Sequence, residues 1–261
     1  MRELIVAYVS NAVWQVAVIG SIGLILGRRR RFSLLALTLV ACAIVPALTQ
    51  LPSDASPIVS SALPSVPARG AAMLVHVYLT GLAFCALRLM IAALRAARIV
   101  ATSRPLSPGR RLSHLIDMPV TIGRTVFLPP PLMDDPPLLS AALAHEDAHV
   151  RRNDYLLHLA LELIALPLYF HPVTHLLRRA IAEARELACD DEAAAQCGNR
   201  EYAAALVEIA SLGRRVAGMS MAASSIERRV IALLQPRQRT NVGWRYVLLL
   251  FIIAGACTRF D

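Results

Sequence analysis

Three long apolar runs constrain the fold of this chain more than any other feature. They cover residues 4–26, 32–51 and 70–94, and each can cross a hydrocarbon core of about 30 Å as a helix. With 56% hydrophobic residues, the 261-residue chain is too apolar for an ordinary soluble enzyme. A shorter apolar run within residues 241–261 predicts one further span, helped by its flanking residues. We therefore predict a mainly α, multi-pass membrane protein with about four transmembrane helices.

The first run has an alternative interpretation as a secretory signal peptide. Its apolar stretch is longer than a signal core, no small-residue cleavage site follows it, and four arginines, Arg28 to Arg31, come next. We predict that the run is a retained helix. Residues 1–102 then form a three-span membrane region.

The distribution of basic residues predicts the orientation in the membrane. All 27 basic residues are arginines, and they give a net charge of +9. Arginines cluster after the first and third runs, whereas residues 51–68 contain none. By the positive-inside rule, that segment is external and residues 103–240 lie on the cytoplasmic side of the inner membrane. Because arginines beside spans suit anionic headgroups, we expect the lipid bilayer as a partner and no direct nucleic-acid binding.

A short motif within the predicted cytoplasmic part indicates metal chemistry. Residues 145–149 read His-Glu-Asp-Ala-His, in an alanine- and leucine-rich stretch that should be helical. The spacing puts His145 and His149 on one helix face, where both imidazoles can bind one cation. Glu146 lies next to that face and could accept a proton from water. This is the zinc-hydrolase motif. The alternative is two surface histidines on an ordinary helix.

A catalytic zinc takes three protein ligands, so one more donor is needed. Our best candidate is Glu186. Asp190 lies one turn further on the same helix face, where it could hydrogen-bond the distal nitrogen of a ligand histidine and fix its tautomer. Glu183 lies on roughly the same face and is the substitute ligand. For Glu183, Asp191 and Glu192, the alternative is a solvated face beside arginines.

Two other pairs have helical spacing but weaker support as metal ligands. His171 and His175 are four residues apart, yet no glutamate follows the first, and Pro172 argues against regular helix there. His158 and Glu162 are also one turn apart, and in an apolar helix we expect them to bond to each other. The oxyanion-stabilising group stays open among these three histidines and an arginine.

Around the motif, the sequence predicts a mixture of a linker, a hairpin and helices. Residues 103–109 predict a linker that breaks the helix of the third run. Residues 118–131 predict two short strands around Gly123-Arg124, and Asp134 or Asp135 caps the motif helix. We predict further helices within residues 155–170, 173–196, 201–212 and 224–234.

Several spaced motifs, taken together, point to a known family. They are Pro119 to Pro129, Leu143 to Asp154, Phe170 to Pro172 and Arg185 to Glu192, with weaker echoes at Tyr202 to Val207 and Glu227 to Val230. In this order they resemble the membrane-embedded zinc peptidases of the BlaR/MecR type, which are bacterial β-lactam sensor-transducers. The resemblance covers about Pro119 to Leu234.

The resemblance implies a gluzincin-like helical metallopeptidase domain that carries one Zn²⁺ per chain. Its zinc ligands would be His145, His149 and Glu186, with Glu146 as the base and Asp190 as the supporting carboxylate. The implied activity is endopeptidase cleavage of a cytoplasmic protein, either a DNA-binding transcriptional repressor or the chain itself. Such cleavage would serve signal transduction and the regulation of antibiotic resistance.

Two departures from the family pattern limit what the resemblance implies. Asp147 stands where such proteins usually carry an apolar residue, which adds charge without removing a ligand. In the family prototype, an external penicillin-binding sensor follows the final span, whereas this sequence stops at Asp261 without one. We therefore expect a separate sensor protein as a candidate partner. The alternatives in function are a non-catalytic membrane scaffold and a quality-control protease for membrane proteins.

Overall fold

The computed structural model describes residues 2–27, 32–49, 68–214 and 220–235. These residues are mainly helical and include one small sheet. Nearly all of the predicted external loop, and the predicted C-terminal span at 241–261, lie outside the described residues.

The described residues form two compact units. The first contains the described residues up to Leu89 together with Ala160–Ile181, and the second contains Met90–Leu159 and the described residues from Ala182 onward. The predicted ligands His145, His149 and Glu186, the predicted base Glu146 and the supporting Asp190 all belong to the second unit.

Helices α1 (Arg2–Leu26) and α2 (Phe32–Leu48) pack against each other in the first unit. Most of their buried side chains are apolar, including Val16, Ile19 and Leu39, while the polar Gln15 and Thr38 are buried with them. Gly23 allows the close approach, because a Cβ atom there would collide with the side chain of Thr38. The α1–α2 pair is therefore held by apolar burial at a tight helix crossing.

Helix α3 (Ala68–Thr102) extends eight residues beyond the predicted end of the third run. None of its most apolar stretch is buried, and Met73, Phe84 and Leu94 are exposed. By length and composition, Arg2–Leu26 and Arg69–Thr102 can each cross a membrane, whereas Phe32–Leu48 is shorter. These helices suggest membrane association, while the predicted four spans and their orientation stay predictions.

A four-stranded sheet follows α3. Its strands are β1 (Arg104–Ser107), β2 (Arg110–Leu112), β3 (Val120–Ile122) and β4 (Thr125–Leu128), in the spatial order β1-β2-β4-β3. Strand β2 pairs in parallel with β4, and the other two pairs are antiparallel.

The hairpin prediction was confirmed by strands β3 and β4. Residues 103–109 break the third helix as predicted, since α3 ends at Thr102, but the prediction of a plain linker was wrong because they contain β1. All four residues of β1 are exposed, and Pro105 lies within the strand, so the sequence shows no alternating pattern there. The turn into β2 uses Gly109 at φ +74°, a conformation that glycine adopts without strain.

Five helices and two short 3₁₀ turns complete the described fold. The turns are Pro130–Asp134 and Leu166–Leu168, and the helices are α4 (Pro136–Arg152), α5 (Asp154–Ala165), α6 (Pro172–Cys197), α7 (Asn199–Arg214) and α8 (Ser220–Leu234). Asp135 caps α4 by accepting the backbone N–H of Leu138 at 3.0 Å, as predicted. Pro172 begins α6 and does not disrupt it, because proline is tolerated in the first helical turn.

Two apolar clusters hold α4 in the second unit. On one side, small residues of α4 such as Ala141 and Ala144 pack with Tyr202 and Leu206 of α7 and with Leu233 of α8. On the other side, α4 packs through an apolar cluster that contains residues of β4, the first 3₁₀ turn and α7, namely Val126, Leu128, Leu132, Leu138, Ala142 and Ile209. The helix that carries the metal motif is thus fixed between the sheet and two other helices.

Candidate metal centre

The structure brings the three predicted ligands together. On α4, Nε2 of His145 lies 3.2 Å from Nε2 of His149. From α6, the Glu186 carboxylate reaches both rings, at 3.5 Å from His145 Nε2 and 3.8 Å from His149 Nε2. One donor atom from each of the three residues lies within 4.8 Å of the other two. Their role as zinc ligands stays a prediction.

The Nδ1 side of the His149 ring is held by Asp154, a residue to which the sequence analysis gave no role. Helix α4 ends at Arg152, and the left-handed backbone of the capping residue Asn153 (φ 52°, ψ 38°) turns the chain sharply. The next residue, Asp154, is buried, and its carboxylate lies 2.8 Å from Nδ1 of His149. Burial alone would raise the pKa of Asp154, but the bond from His149 and the nearby Arg152 lower it. The ionised carboxylate therefore accepts the Nδ1 proton.

The Nδ1 side of the His145 ring is held by a buried hydrogen-bond network around Asp190. Nδ1 of His145 lies 2.8 Å from the Tyr202 hydroxyl and 3.2 Å from Asp190. The Tyr202 hydroxyl donates to Asp190 at 2.8 Å, and the Arg229 guanidinium donates to both oxygens of Asp190 at 2.6 and 2.7 Å. Burial would raise the pKa of Asp190, but the bonds from Arg229 and His145 outweigh it and hold the pKa at about 2.

These contacts select the tautomer of both imidazoles. When both rings are neutral, each Nδ1 faces an acceptor and so carries the proton, which leaves each Nε2 as a lone pair directed at the cluster. Two such lone pairs only 3.2 Å apart repel each other unless a cation lies between them. The polar surroundings of the histidines thus prepare a site for positive charge.

The spacing of the donors fits zinc. Two ligands at about 2.0–2.1 Å from a tetrahedral ion lie about 3.3 Å apart, and the observed separations of 3.2, 3.5 and 3.8 Å are close to this value. Burial would lower the pKa of His145, but hydrogen bonds with Asp190 and Glu186 raise it to about 9. The cluster therefore attracts a proton or a metal ion.

Glu186 is ionised in this setting. Burial would raise its pKa, but the hydrogen bond with His145 and the charges around it lower the pKa well below the usual value. Arg185 contributes a contact at 3.1 Å, and Arg229 lies 3.7 Å from the other oxygen. Two histidine nitrogens and one carboxylate oxygen form a donor set that suits a divalent zinc ion.

Glu146 lies next to the two histidines and is buried. The Thr121 hydroxyl of β3 donates to its Oε2 at 2.7 Å. The neighbouring Asp147 points to a different place, where it pairs with Arg110 at 3.3 Å while both side chains are 39% exposed. Asp147 is thus partnered with an arginine and does not belong to the ligand cluster, and a pair this exposed contributes at most about 1 kcal/mol.

The rival residues have other partners. In the first unit, Nε2 of His171 lies 3.0 Å from the Val13 carbonyl, and Nε2 of His175 lies 2.7 Å from the Tyr169 carbonyl. Within the described ranges, neither histidine belongs to a group that could hold a metal.

The acidic rivals are paired with arginines. Glu183 lies 3.5 Å from Arg228 on an exposed surface. Glu162, which we expected to bond to His158, receives the guanidinium of Arg178 at 3.0 Å.

A second group of possible ligands shares His149. Cys189 Sγ lies 3.3 Å from His149 Nδ1 and 3.4 Å from Asp154. Burial raises the pKa of the Cys189 thiol, and metals bind the thiolate form. Since Nδ1 and the Asp154 carboxylate already bond to each other, this group is the poorer metal site.

Four residues around the centre were not assigned from the sequence, namely Thr121, Asp154, Tyr202 and Arg229. Tyr202 and Arg229 lie in the two weaker motif echoes, so the sequence marked their positions without indicating a role. Asp154 follows the break of the motif helix, and an acidic residue there is a usable signal. Nothing in the sequence around Thr121 indicated its contact with Glu146.

Comparison with known proteins bears on the same region. The family model described as BlaR1 peptidase M56 matches residues 53–233, which is more than half of the chain and includes every residue of the centre. No curated protein matches the chain.

Proposed function

The chain belongs to the BlaR1 peptidase M56 family, and from this premise we propose that it is a membrane-embedded zinc endopeptidase of the HExxH, gluzincin-like type. The family is one of zinc-dependent metallopeptidases. We further propose that the metal site faces the cytoplasm and that the substrate is a cytoplasmic protein.

One observation carries the metal assignment. The two Nε2 atoms, 3.2 Å apart and each backed by an acceptor at Nδ1, meet a carboxylate from another helix. We assign His145, His149 and Glu186 as the ligands of one Zn²⁺ per chain. Asp190 supports His145 from 3.2 Å and through the Tyr202 hydroxyl, which bonds to Nδ1 and donates to Asp190. Asp154 supports His149 by accepting from its Nδ1.

In the proposed mechanism, Glu146 is the proton-transfer group. A bound zinc ion supplies Lewis acidity, which polarises a peptide carbonyl and makes water a better nucleophile near neutral pH. Glu146 accepts the proton of the attacking water and returns it to the leaving amine. Its position directly after His145 on α4 places Glu146 next to the helix face that carries both histidines. Asp154 and Asp190 keep the rings oriented during this exchange.

The experiment that tests the function is Glu146→Gln. The variant should retain about one zinc per chain, because Glu146 is not a ligand, and should lose cleavage by at least about 100-fold, the usual contribution of a general base. Zinc is measured by elemental mass spectrometry of purified protein. Glu183→Gln, which changes a half-exposed carboxylate on α6, is the matched control and should cleave like the wild type.

Two outcomes would oppose the proposal. Proteolysis retained in Glu146→Gln would exclude Glu146 as the base. Absence of zinc from wild-type protein purified without chelators would favour a non-catalytic scaffold.

The substrate proposal rests on the family and on the predicted topology. We propose that a transcriptional repressor, or the chain itself, is cut as part of a signalling response. Quantitative mass spectrometry of cells that carry wild-type or Glu146→Gln protein identifies the substrate through fragments that depend on Glu146. Fragments derived mainly from misassembled membrane proteins would favour a quality-control protease.

A further inference from the structure

The carboxylate of Glu146 has a single hydrogen-bond partner among the side chains that the structure describes. Glu146 is 7% exposed, and the Thr121 hydroxyl lies 2.7 Å from its Oε2. The same hydroxyl lies 3.4 Å from the backbone carbonyl of Glu146.

The hydroxyl can donate only one proton, and the geometry indicates where it goes. Oε2 of Glu146 lies at 2.7 Å and its backbone carbonyl at 3.4 Å, whereas hydroxyl hydrogen bonds are normally about 2.5–3.0 Å long. The 2.7 Å contact with Oε2 is therefore the main bond. It fixes one oxygen of Glu146, and Oε1 has no hydrogen-bond partner in the described part of the chain.

Thr121 is itself held rigidly. It lies in the middle of β3, where its Cα partner on β4 is Val126, a buried core residue. The branched Cβ of threonine restricts χ1, so the hydroxyl has few alternative directions. The sheet thus presents a fixed donor to the motif helix.

We propose that Thr121 is a positioning residue for Glu146. Its hydroxyl anchors Oε2 and leaves Oε1 free to exchange the proton with water and the leaving amine. This inference rests on the proposed function, since it assigns the second oxygen of the proposed base. The sheet then contributes to catalysis through one hydrogen bond to the helix that carries the motif.

The test removes only the hydroxyl. Thr121→Val keeps the shape of the side chain, and it should lower kcat by about 10–100-fold, because small misplacement of a catalytic group costs that much. KM for fluorescein-labelled casein and zinc content should change less than about twofold, since neither substrate binding nor the ligands are altered. Thr121→Ser restores the donor and should recover kcat to within about threefold of wild type.

The controls separate positioning from a general effect on the hairpin. Thr125→Val makes the same chemical change on β4, where no hydrogen bond to Glu146 exists, and should keep the wild-type kcat. In a Glu146→Gln background, Thr121→Val should cause no additional loss. If Thr121→Val does not fold, Thr121→Ala gives the same comparison.

The outcomes distinguish this inference from the proposed function. Cleavage retained by Glu146→Gln contradicts the function. Cleavage lost in Glu146→Gln but kept at the wild-type kcat in Thr121→Val contradicts only the role of Thr121. If casein is not cut, crystal structures of zinc-loaded wild type and Thr121→Val decide. An unchanged Glu146 rotamer in the variant overturns the inference, and a displaced one supports it.

Discussion

The carboxylate of Asp154 lies 2.8 Å from Nδ1 of His149, although the helix that carries His149 ends before Asp154 begins the next one. The left-handed residue Asn153 makes the turn that allows this contact. The contact fixes the proton on Nδ1 and leaves Nε2 available to the cluster. Support for the second histidine of the motif thus comes from a residue only five positions later.

Asp154→Asn should weaken zinc binding. An amide keeps the size of the side chain but loses the negative charge that holds the Nδ1 proton, and loss of such a partner typically costs 10–100-fold in affinity. Competition against a fluorescent zinc chelator measures the change in Kd. Asp117→Asn, on an exposed loop, is the control. An unchanged Kd in Asp154→Asn would mean that other contacts orient the ring.

Arg229→Met should destabilise the protein, because it removes the cation that neutralises the buried Asp190. Breaking a buried pair by deleting one partner costs about 3 kcal/mol or more. The neighbouring Arg228→Met is the matched control, since Arg228 is 59% exposed and pairs with a partly exposed carboxylate. Thermal unfolding in detergent compares the two. Equal Tm values would show that Asp190 does not depend on Arg229.

Zinc affinity should rise with pH between about 7 and 8.5. In the metal-free protein the pKa of His145 is raised to about 9, so zinc must displace a proton below that pH. One released proton corresponds to about a tenfold gain in affinity per pH unit. Isothermal titration in buffers with different ionisation enthalpies counts the proton. Asp190→Asn removes a group that raises this pKa and should flatten the pH dependence.

The stability of the metal-free protein should fall as pH rises, whereas its zinc affinity should increase. A folded-state pKa raised above the unfolded value of 6.5 contributes stability that is complete below pH 6.5 and is lost as pH rises through about 9. Tm values of chelator-treated protein at pH 6.5 and 9 test this, and the Asp190→Asn variant should lose less over the same interval. No loss of stability over this range in the native chain would contradict the assignment.

The second unit should lie on the cytoplasmic side. His114 is exposed in this unit, and His114→Cys introduces a thiol there. A membrane-impermeant maleimide should label it only after spheroplasts are lysed, with the native chain as the background control. Labelling in intact spheroplasts would reverse the proposed orientation.

Local features of this fold were predictable, because short stretches of sequence specify them. The cap at Asp135, the turn at Gly123 and the helical face that carries His145 and His149 each follow from spacing or turn chemistry. Strand β1 was missed because it is exposed along its whole length and carries Pro105. Its pairing depends on β2, which no local pattern indicates.

The supporting network around the histidines was only partly predictable. Asp190 could be placed beside a ligand histidine from its spacing to Glu186. Tyr202 and Arg229, however, reach Asp190 from two later helices. Such long-range contacts depend on how α7 and α8 pack, and one sequence read alone does not contain that arrangement.

Helix α6 carries both Glu186, which completes the ligand cluster, and Asp190, which steadies His145 from behind. Because they are one turn apart on the same helix, the two carboxylates must move together. A shift or rotation of α6 would remove the Glu186 ligand and at the same time remove the support of the His145 ring. Metal binding would then be lost in one step, without an intermediate that keeps one of the two interactions.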